Sequence, residues 1–288
     1  MRKIILINII TFLLSYSGTL SAQVINSVVR SGDAVSQALA ETGVALPPGA
    51  YAIANNPAAM AFYEKNLAIA SGYGAYNPSS AGFHMLSAEA LYKPLPKIAF
   101  GFDVKHLSYN AYSVTLADGR TAGSYTPSEL AVTASFSYKI LEGLSAGANA
   151  KLFTSSVAEG STVTGFGLDL ATMYVSGSFR AGLNVKNIGT QVMNIKVGAS
   201  YSMASLLFSA AADYLSGAGV MAGTGIQYSL KDMLFIRTGY HYGGPSGIPS
   251  YVSVGIGAKV YNFCFDVAYL AGNDNISGTM LFSLGYLF

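Results

Sequence analysis

The sequence is poor in charge, contains no tryptophan and has a single cysteine. Charged residues make up 10% of its 288 residues, whereas soluble globular proteins carry about 25%. The hydrophobic fraction of 51% is too high for a disordered chain. Cys264 has no partner for an internal disulfide and is expected to be a small, half-buried side chain. This composition argues against a cytosolic enzyme and indicates a lipid environment.

Long apolar runs are also missing after the N-terminus. A membrane-spanning helix needs about 20 consecutive apolar residues, and no segment beyond residue 22 approaches that length. The other architecture that crosses a bilayer with every backbone group hydrogen-bonded is a closed β-barrel. The sequence therefore predicts an all-β fold, namely a transmembrane antiparallel barrel.

The first 22 residues have the pattern of a secretory signal peptide. Basic residues at positions 2 and 3 precede an apolar stretch over residues 4–14, and a cleavage site follows Ala22. Cleavage there lowers the number of basic residues from 16 to 14, equal to the 14 acidic ones. A neutral mature chain has no electrostatic surface for nucleic acid, so nucleic-acid partners are not expected.

From residue 66 to residue 288 the sequence is a series of alternating segments separated by turn residues. This is the pattern of an outer-membrane barrel, whose strands are apolar on the side that faces lipid. Short breaks alternate with long ones, as expected for a periplasmic and an extracellular rim. The fourteen predicted strands cover residues 66–75, 82–93, 97–106, 129–139, 143–155, 162–174, 177–187, 192–202, 204–213, 219–229, 232–242, 250–260, 262–271 and 277–288.

Charged residues within these strands are expected to face the lumen, because Lys or Arg at the bilayer midplane costs about 2 to 4 kcal/mol. In segment 177–187, Leu183 and Val185 share one parity while Arg180 and Lys186 share the other. Both signs of charge occur, which favours internal ion pairing over a selective ion path. The predicted lumen charges are Asp103, Lys105, Lys151, Asp169, Arg180, Lys186, Lys196, Arg237, Lys259 and Asp266.

Glycine and tyrosine add to this pattern. A wall without side chains either bends easily or admits a closely fitting insert, and the sequence leaves both interpretations open. Tyrosines near strand ends, such as Tyr174 and Tyr201, are expected to anchor the barrel at the membrane interfaces. The glycines on the inward parity are Gly165 and Gly167, Gly223 and Gly225, and Gly255 and Gly257.

Residues 23–65 differ from the strands because they do not alternate. The Ser-Gly-Asp sequence at 31–33 is predicted to cap a helix that runs to Val44, and the Pro-Pro-Gly sequence at 47–49 is predicted to end it. An Asn-Pro step biases the asparagine away from helical geometry and predicts a turn. The turn consists of Asn55, Asn56, Pro57 and Ala58.

Several short stretches resemble a known family. They are the Asn-Pro-Ala element that ends at Ala58, the Gly-bearing loop and strand over 118–132, the strand 144–151, and the segments 167–170 and 183–189. In order and spacing they resemble one branch of the fatty-acid-transporter-like outer-membrane barrels. This is the PorV/PorQ branch, whose members are outer-membrane components of type IX secretion. Tyr125 stands where the family has phenylalanine, and the similarity fades after about residue 200.

The resemblance implies a fourteen-stranded barrel in the outer membrane of a Gram-negative bacterium, with residues 23–65 as a plug in the lumen and 66–288 as the barrel. It also implies a protein partner. PorV members bind the C-terminal signal domain of secreted cargo, and PorQ members hold a surface partner. No cofactor is implied.

Two functions follow as hypotheses. In the first, the barrel binds a protein partner through loop 107–128, where Tyr109, Tyr112 and Tyr125 offer rigid aromatic area. The alternative interpretation of this loop is a small hairpin that only covers the mouth of the barrel. In the second function, a hydrophobic ligand passes through the lumen, with the Asn55 to Ala58 turn as its gate. For topology, a tag at Asp118 is expected to be accessible from outside the cell and one at Lys231 is not.

Catalytic constellations are missing. His84, His106 and His241 lie on separate predicted strands, and no G-x-S-x-G nucleophile motif occurs. Scattered histidines and one cysteine lack the spacing of metal ligands. The sequence therefore predicts neither an enzyme nor a metal site.

Overall fold

The computed structural model describes residues 26–76, 82–115, 119–158, 160–244, 248–273 and 276–288. The predicted signal peptide and Asp118 lie outside these described residues. Among the described residues no helix combines the length and the apolar character needed to cross a membrane.

Fourteen antiparallel strands close into one barrel, as the alternating segments predicted. The first strand pairs with the last, with Ala68 opposite Leu287, and this pairing closes the wall. Together with β4 and β5, which are not part of the wall, the strands in chain order are β1 Leu67–Tyr76, β2 Phe83–Leu95, β3 Ile98–Tyr109, β4 Tyr112–Thr115, β5 Thr121–Tyr125, β6 Ser128–Leu141, β7 Leu144–Ala158, β8 Ser161–Ser176, β9 Phe179–Ile188, β10 Asn194–Met203, β11 Leu206–Leu215, β12 Gly219–Leu230, β13 Leu234–Tyr242, β14 Tyr251–Val260, β15 Phe263–Gly272 and β16 Thr279–Leu287.

Strands β4 and β5 stand apart from the wall as a two-stranded hairpin between β3 and β6. The sequence predicted a long connection over 107–128, and the structure shows that β3 continues to Tyr109 before the hairpin begins. Residues 112–115 include the β-branched Val114 and Thr115, which favour a strand. This strand pairs with β5, with Tyr112 opposite Tyr125. This hairpin is called the outer hairpin below.

Each wall strand has one lipid-facing and one lumen-facing side. In β14, the outward-facing Val254 and Ile256 are 49% and 66% exposed, whereas the inward-facing Ser253 is fully buried. The alternation has a period of two because successive side chains of a strand point to opposite faces. It places large apolar side chains against lipid and small or polar ones against the interior.

The two rims differ in the length of their connections. At one rim, called the short-turn rim, tight turns include Lys231 and Asp232 in the left-handed region, with φ of 54° and 53°. At the other, called the long-loop rim, the connections are longer and include the outer hairpin. An even number of strands brings the start of β1 and the end of β16 to the short-turn rim, which in outer-membrane barrels is periplasmic.

Residues 26–65, called the plug, lie inside the barrel. Their helices pack against the inner wall, and Ala34, Ile53 and Ala58 are completely buried. The plug comprises α1 Asn26–Val29, α2 Ala34–Ala38, a 3-10 helix over Gly43–Ala45, α3 Ala52–Asn55 and a second 3-10 helix over Pro57–Phe62.

The predicted helix in the plug begins where expected but ends early. Asp33 caps α2 by accepting a hydrogen bond from the Val35 amide. The prediction that this helix runs to Val44 is wrong, because Ala40 and Glu41 adopt left-handed φ angles of 56° and 64°. Two consecutive left-handed residues end a right-handed helix.

Candidate functional site

Wall side chains hold the plug by its backbone carbonyls. The donors lie on β7, β9, β10 and β14, so the plug is attached on different sides of the barrel. Buried carbonyl groups that lose water need such partners. The bonds, donor first, are Ser145–Ala58 at 2.7 Å, Asn149–Ile53 at 3.2 Å, Asn184–Asn55 at 3.1 Å, Lys186–Ala54 at 3.0 Å, Lys196–Glu41 at 3.2 Å, Ser200–Ala45 at 2.7 Å and Ser253–Ala38 at 2.8 Å.

Asn56, in the predicted plug turn, bonds three backbone groups at once. Its Nδ2 donates to the carbonyl oxygens of Val44 at 2.8 Å and Thr172 at 3.1 Å. Its Oδ1 accepts a hydrogen bond of 3.0 Å from the Ala58 amide. The extended φ of −156° at Asn56 agrees with the restriction imposed by Pro57, which begins the second 3-10 helix. The turn therefore joins two parts of the plug to β8.

Asn55 completes the turn by holding a buried carboxyl. Its Nδ2 donates to Asp33 Oδ2 at 2.7 Å, and Asp33 is 3% exposed. Burial raises the pKa of Asp33 to about 6, while the hydrogen bond from Asn55 opposes the rise. The start of α2 is thereby tied to the end of α3.

Wall glycines make room for the plug. A Cβ at Gly223 would lie 2.0 Å from the Ala40 carbonyl oxygen, and one at Gly255 would lie 2.4 Å from the Ala38 Cβ. Both distances are too short for any side chain. A Cβ at Gly225 would likewise meet Leu39, whereas Gly257 faces an ion pair of the wall, and Gly165 and Gly167 lie away from the plug.

Four of the predicted lumen charges form two close ion pairs with one another. Lys151 lies 2.8 Å from Asp169, and Arg237 lies 2.7 Å from Asp266. Lys105 is 3.7 Å from Asp103. These pairs compensate charges that the interior would otherwise leave unpaired.

The remaining predicted lumen charges have other partners. Lys196 pairs at 3.0 Å with Asp213. Arg180 donates to Ser202 at 3.2 Å, and Lys186 donates to the plug. Lys259 is half-buried at the short-turn rim.

A charge network at the long-loop end of the plug was missed at the sequence level. Glu41 lies 3.7 Å from Lys196 and 3.9 Å from Arg30, and His241 is buried nearby against the ring of Tyr251. Burial alone would raise the pKa of Glu41. The charge of Lys196, with smaller contributions from His241 and Arg30, instead lowers that pKa to about 2. His241 has the same parity as Arg237 in its strand, and this could have indicated that it faces the lumen. No sequence pattern indicated the positions of Glu41 or Arg30.

Two cavities lie on opposite sides of the plug and share no lining residue. The outer cavity, of about 460 Å³, opens at the long-loop rim between the charge network and apolar side chains such as Val192 and Met221. The inner cavity, of about 360 Å³, lies towards the short-turn rim and includes Leu46, Leu207 and Phe235 in its lining. The plug therefore lies between these two cavities.

The three tyrosines of the predicted partner loop have different surroundings. Tyr109 is half-buried and donates to Glu129 at 2.7 Å. Tyr112 and Tyr125 meet in the outer hairpin with ring centroids 5.8 Å apart, and Tyr112 is 41% exposed. Tyr125 is bonded through its hydroxyl to Ser156 on β7 at 2.6 Å. The structure thus brings Tyr112 and Tyr125 together and leaves Tyr109 in the wall.

Within the described ranges, no three His, Cys, Asp or Glu side chains are arranged to hold a metal ion. Cys264 is a free, partly buried thiol.

The architecture defines the class of protein. A closed fourteen-stranded barrel with an apolar outer face and an N-terminal plug is a transmembrane β-barrel of the outer-membrane type. The family model described as "Type IX secretion system protein PorV" matches residues 19–222, which is more than half of the chain. The chain belongs to this family, and it is an outer-membrane barrel of type IX secretion in a Gram-negative bacterium.

Solved structures of similar fold include two toluene transporters and a FadL homologue. TbuX of Ralstonia pickettii is 15% identical, with a TM-score of 0.67, and the match covers 88% of this chain and 98% of TbuX. TodX of P. putida is 13% identical with the same TM-score and coverages of 88% and 98%. The Pseudomonas aeruginosa FadL homologue is 14% identical, with a TM-score of 0.61 and coverages of 89% and 98%. These likenesses concern the fold. No curated protein matches the sequence.

Proposed function

We propose that this protein is a non-enzymatic scaffold that binds a protein at its long-loop rim during type IX secretion. The partner is either another secretion component or the signal domain of a secreted cargo. The observation that carries the proposal is the attachment of the plug, whose backbone is bonded to several wall strands and separates the two cavities. A lumen filled in this way favours binding at the rim over passage through the barrel.

The outer hairpin is the proposed contact surface. The hydroxyl of Tyr125 bonds Ser156 and anchors the hairpin to the wall, while Tyr112, which packs against the Tyr125 ring, is 41% exposed. A rigid aromatic surface loses little conformational entropy on binding and is typical of the residues that dominate protein interfaces.

The test is made in the native bacterium with the variant Tyr112→Ala. We expect less secreted cargo in the medium or on the surface, and less partner recovered with the barrel from the outer membrane. The matched control is Tyr261→Ala at the short-turn rim, where Tyr261 is 92% exposed. Replacing the whole outer hairpin by a short Gly-Ser turn should give a stronger defect. Unchanged secretion and unchanged partner recovery in the hairpin-replaced strain would overturn the proposal.

Uptake of a small apolar ligand is the second candidate, and the inner cavity favours it. Leu46, Leu207 and Phe235 form an apolar part of its lining, beside the ion pair of Arg237 and Asp266. The similar folds of TbuX and TodX, which are described as toluene transporters, point the same way. If uptake is the function, growth on an aromatic hydrocarbon should depend on the protein. A hydrocarbon should also bind the purified barrel, and filling the cavity with Leu207→Trp should abolish that binding.

A further inference from the structure

Strand β8 extends beyond its neighbour β9 at the long-loop rim. Strand β8 covers Ser161–Ser176, but its pairing with β9 begins only where Leu168 faces Ile188. On the other side β8 pairs with β7 up to Ser161, opposite Ala158. Residues 161–167 therefore have a strand partner on one side only, and this stretch is called the β8 edge. The turn after β9 packs close to Phe166 and Gly167, so the open part of the edge is 161–165.

The backbone groups on the unpaired side belong to even-numbered residues. The Val175 amide donates across to Gly143 at 2.8 Å, on the β7 side. Because successive residues of a strand present their backbone groups to opposite sides, Thr162 and Thr164 present theirs to the unpaired side. Within the described residues no backbone hydrogen bond reaches Thr162 or Thr164 from that side.

The β8 edge lies at the long-loop end of a strand that is longer than a membrane crossing needs. A tilted barrel strand crosses the hydrocarbon with about 9 to 11 residues, whereas β8 has 16 residues. Thr162 and Thr164 lie near its long-loop end, farthest from the short-turn rim. Both are exposed.

The edge carries neither charge nor proline. Lysine and proline are two of the features that protect an edge from pairing, and residues 161–167 contain neither. Register irregularities lie only at the two ends of this stretch, where Ser161 pairs with Ala158 on β7 and where the pairing with β9 begins. Gly165 is covered by the ring of Phe153 on β7, since a Cβ there would lie 2.4 Å from that ring. Phe153 is 1% exposed, so it holds the two strands together from within the barrel.

The outer hairpin lies next to the β8 edge in space. Tyr125 bonds Ser156 on β7 at 2.6 Å, and the Ser156 hydroxyl is 3.2 Å from that of Thr162. A partner seated on the hairpin therefore lies next to the β8 edge. The occupant to which the inference commits is therefore the protein partner of the proposed rim-binding function, and a second copy of the barrel is an outcome of the test.

We propose that the β8 edge accepts an extended, uncharged strand of the protein partner, which adds to the sheet beside Thr162 and Thr164. This inference rests on the proposed rim-binding function and specifies how the partner is held. Alternating amide and carbonyl groups are complementary to another extended backbone, and strand addition uses that match for affinity. The added strand is expected to be neutral, because the edge offers no charge with which a charged side chain of that strand could pair.

The test compares Thr164→Pro with the matched control Thr164→Val. Proline removes the outward amide and obstructs the added strand, yet the barrel should tolerate it because Thr164 does not donate to β7. Valine keeps the backbone amide. Recovery of the partner with the barrel, purified from native outer membranes in mild detergent, should fall about tenfold with proline and change little with valine. Resistance of the folded barrel to unfolding by SDS verifies that both variants fold.

Amide hydrogen exchange over residues 160–168 provides the second measurement. It should be slower in the purified complex than in the barrel stripped of its partner, and proline should remove the difference. Equal partner recovery with proline and valine, together with unchanged exchange, would overturn the edge inference alone. Slow exchange accompanied by a dimeric mass of the barrel would assign the edge to a second copy and would also overturn it. Absence of any partner on the native barrel would instead contradict the proposed function.

Discussion

The lumen-facing and lipid-facing sides of the same strands place different demands on their side chains. On the lipid side, Val254 and Ile256 are 49% and 66% exposed and need only be apolar. On the lumen side, Ser253 bonds a plug carbonyl and Gly255 leaves room for Ala38. The outer face is specified by a class of residue, whereas the inner face is specified residue by residue. Substitutions should therefore be tolerated differently on the two sides.

The largest effect is expected on the lumen side, at the ion pair between Arg237 and Asp266. Asp266→Ala leaves the guanidinium of Arg237, which is 6% exposed, without its carboxylate. The free energy of unfolding should fall by about 3 to 5 kcal/mol, because an unpaired buried charge is strongly destabilising. Denaturant unfolding of the barrel in lipid vesicles measures this change.

The double variant Arg237→Met/Asp266→Ala is the control for that prediction. It removes both charges and should regain most of the lost stability. If the single and double variants unfold at the same denaturant concentration, the pair does not act as inferred.

A smaller effect is expected on the lipid side. Ile256→Lys places an ammonium group midway along β14, where it should cost about 2 to 4 kcal/mol of unfolding free energy. The same lysine at Tyr261, in a turn at the short-turn rim, should cost less than about 1 kcal/mol. Equal losses at the two sites, measured by the same unfolding experiment, would show that Ile256 does not face the bilayer interior.

Contact between wall and plug is tested by Gly182→Ala. A Cβ at Gly182 would lie 2.1 Å from the Val44 carbonyl oxygen, so the plug must shift at a cost of about 1 to 3 kcal/mol. The plug should become sensitive to protease while the barrel remains folded. The matched control is Gly285→Ala, whose Cβ would have its nearest neighbour, the Ala50 Cβ, at 3.5 Å. Equal protease resistance of both variants would contradict a tightly fitted plug.

The smallest effect concerns pH and two carboxyl groups of the plug. The pKa of Glu41 is lowered from 4.5 to about 2, so its stabilising contribution is present at neutral pH and is lost as the pH falls below about 4.5. The pKa of Asp33 is raised from 3.8 to about 6, so its protonated form stabilises the fold and this contribution is lost as the pH rises through 6. Melting temperature should therefore rise on mild acidification and fall again in stronger acid.

Two variants separate these contributions. Asp33→Asn should remove the rise between pH 7 and 4, and Glu41→Gln should remove the part of the fall that begins below about pH 4.5. A melting profile that is the same in all three proteins would show that neither carboxyl is coupled to stability.

Much of the fold was accessible from the sequence because strand parity is a local property. Arg237 and Ile236 occupy opposite parities, and that alternation was enough to predict both a barrel and the number of its strands. The plug was harder to predict, since it has no repeating pattern. The end of α2 depends on the left-handed residues Ala40 and Glu41, and their geometry is coupled to the bare wall at Gly223.

Contacts between distant segments were not accessible from the sequence. Alternation indicates that Lys196 points inward, but only the register of β10 and the path of the plug place it beside Asp213 and Glu41. The same holds for the unpaired β8 edge, which exists because β8 is longer than β9 at the long-loop rim.

The sequence by itself determined the barrel, the outward position of its apolar side chains and the inward position of its strand charges. The physical reason is that a bilayer excludes charge and that side chains alternate along every strand. The tertiary structure decided which glycines meet the plug, which carboxylate pairs with which cation and which strand edge remains open. These features depend on the closure of the wall around the plug, which joins residues far apart in the chain.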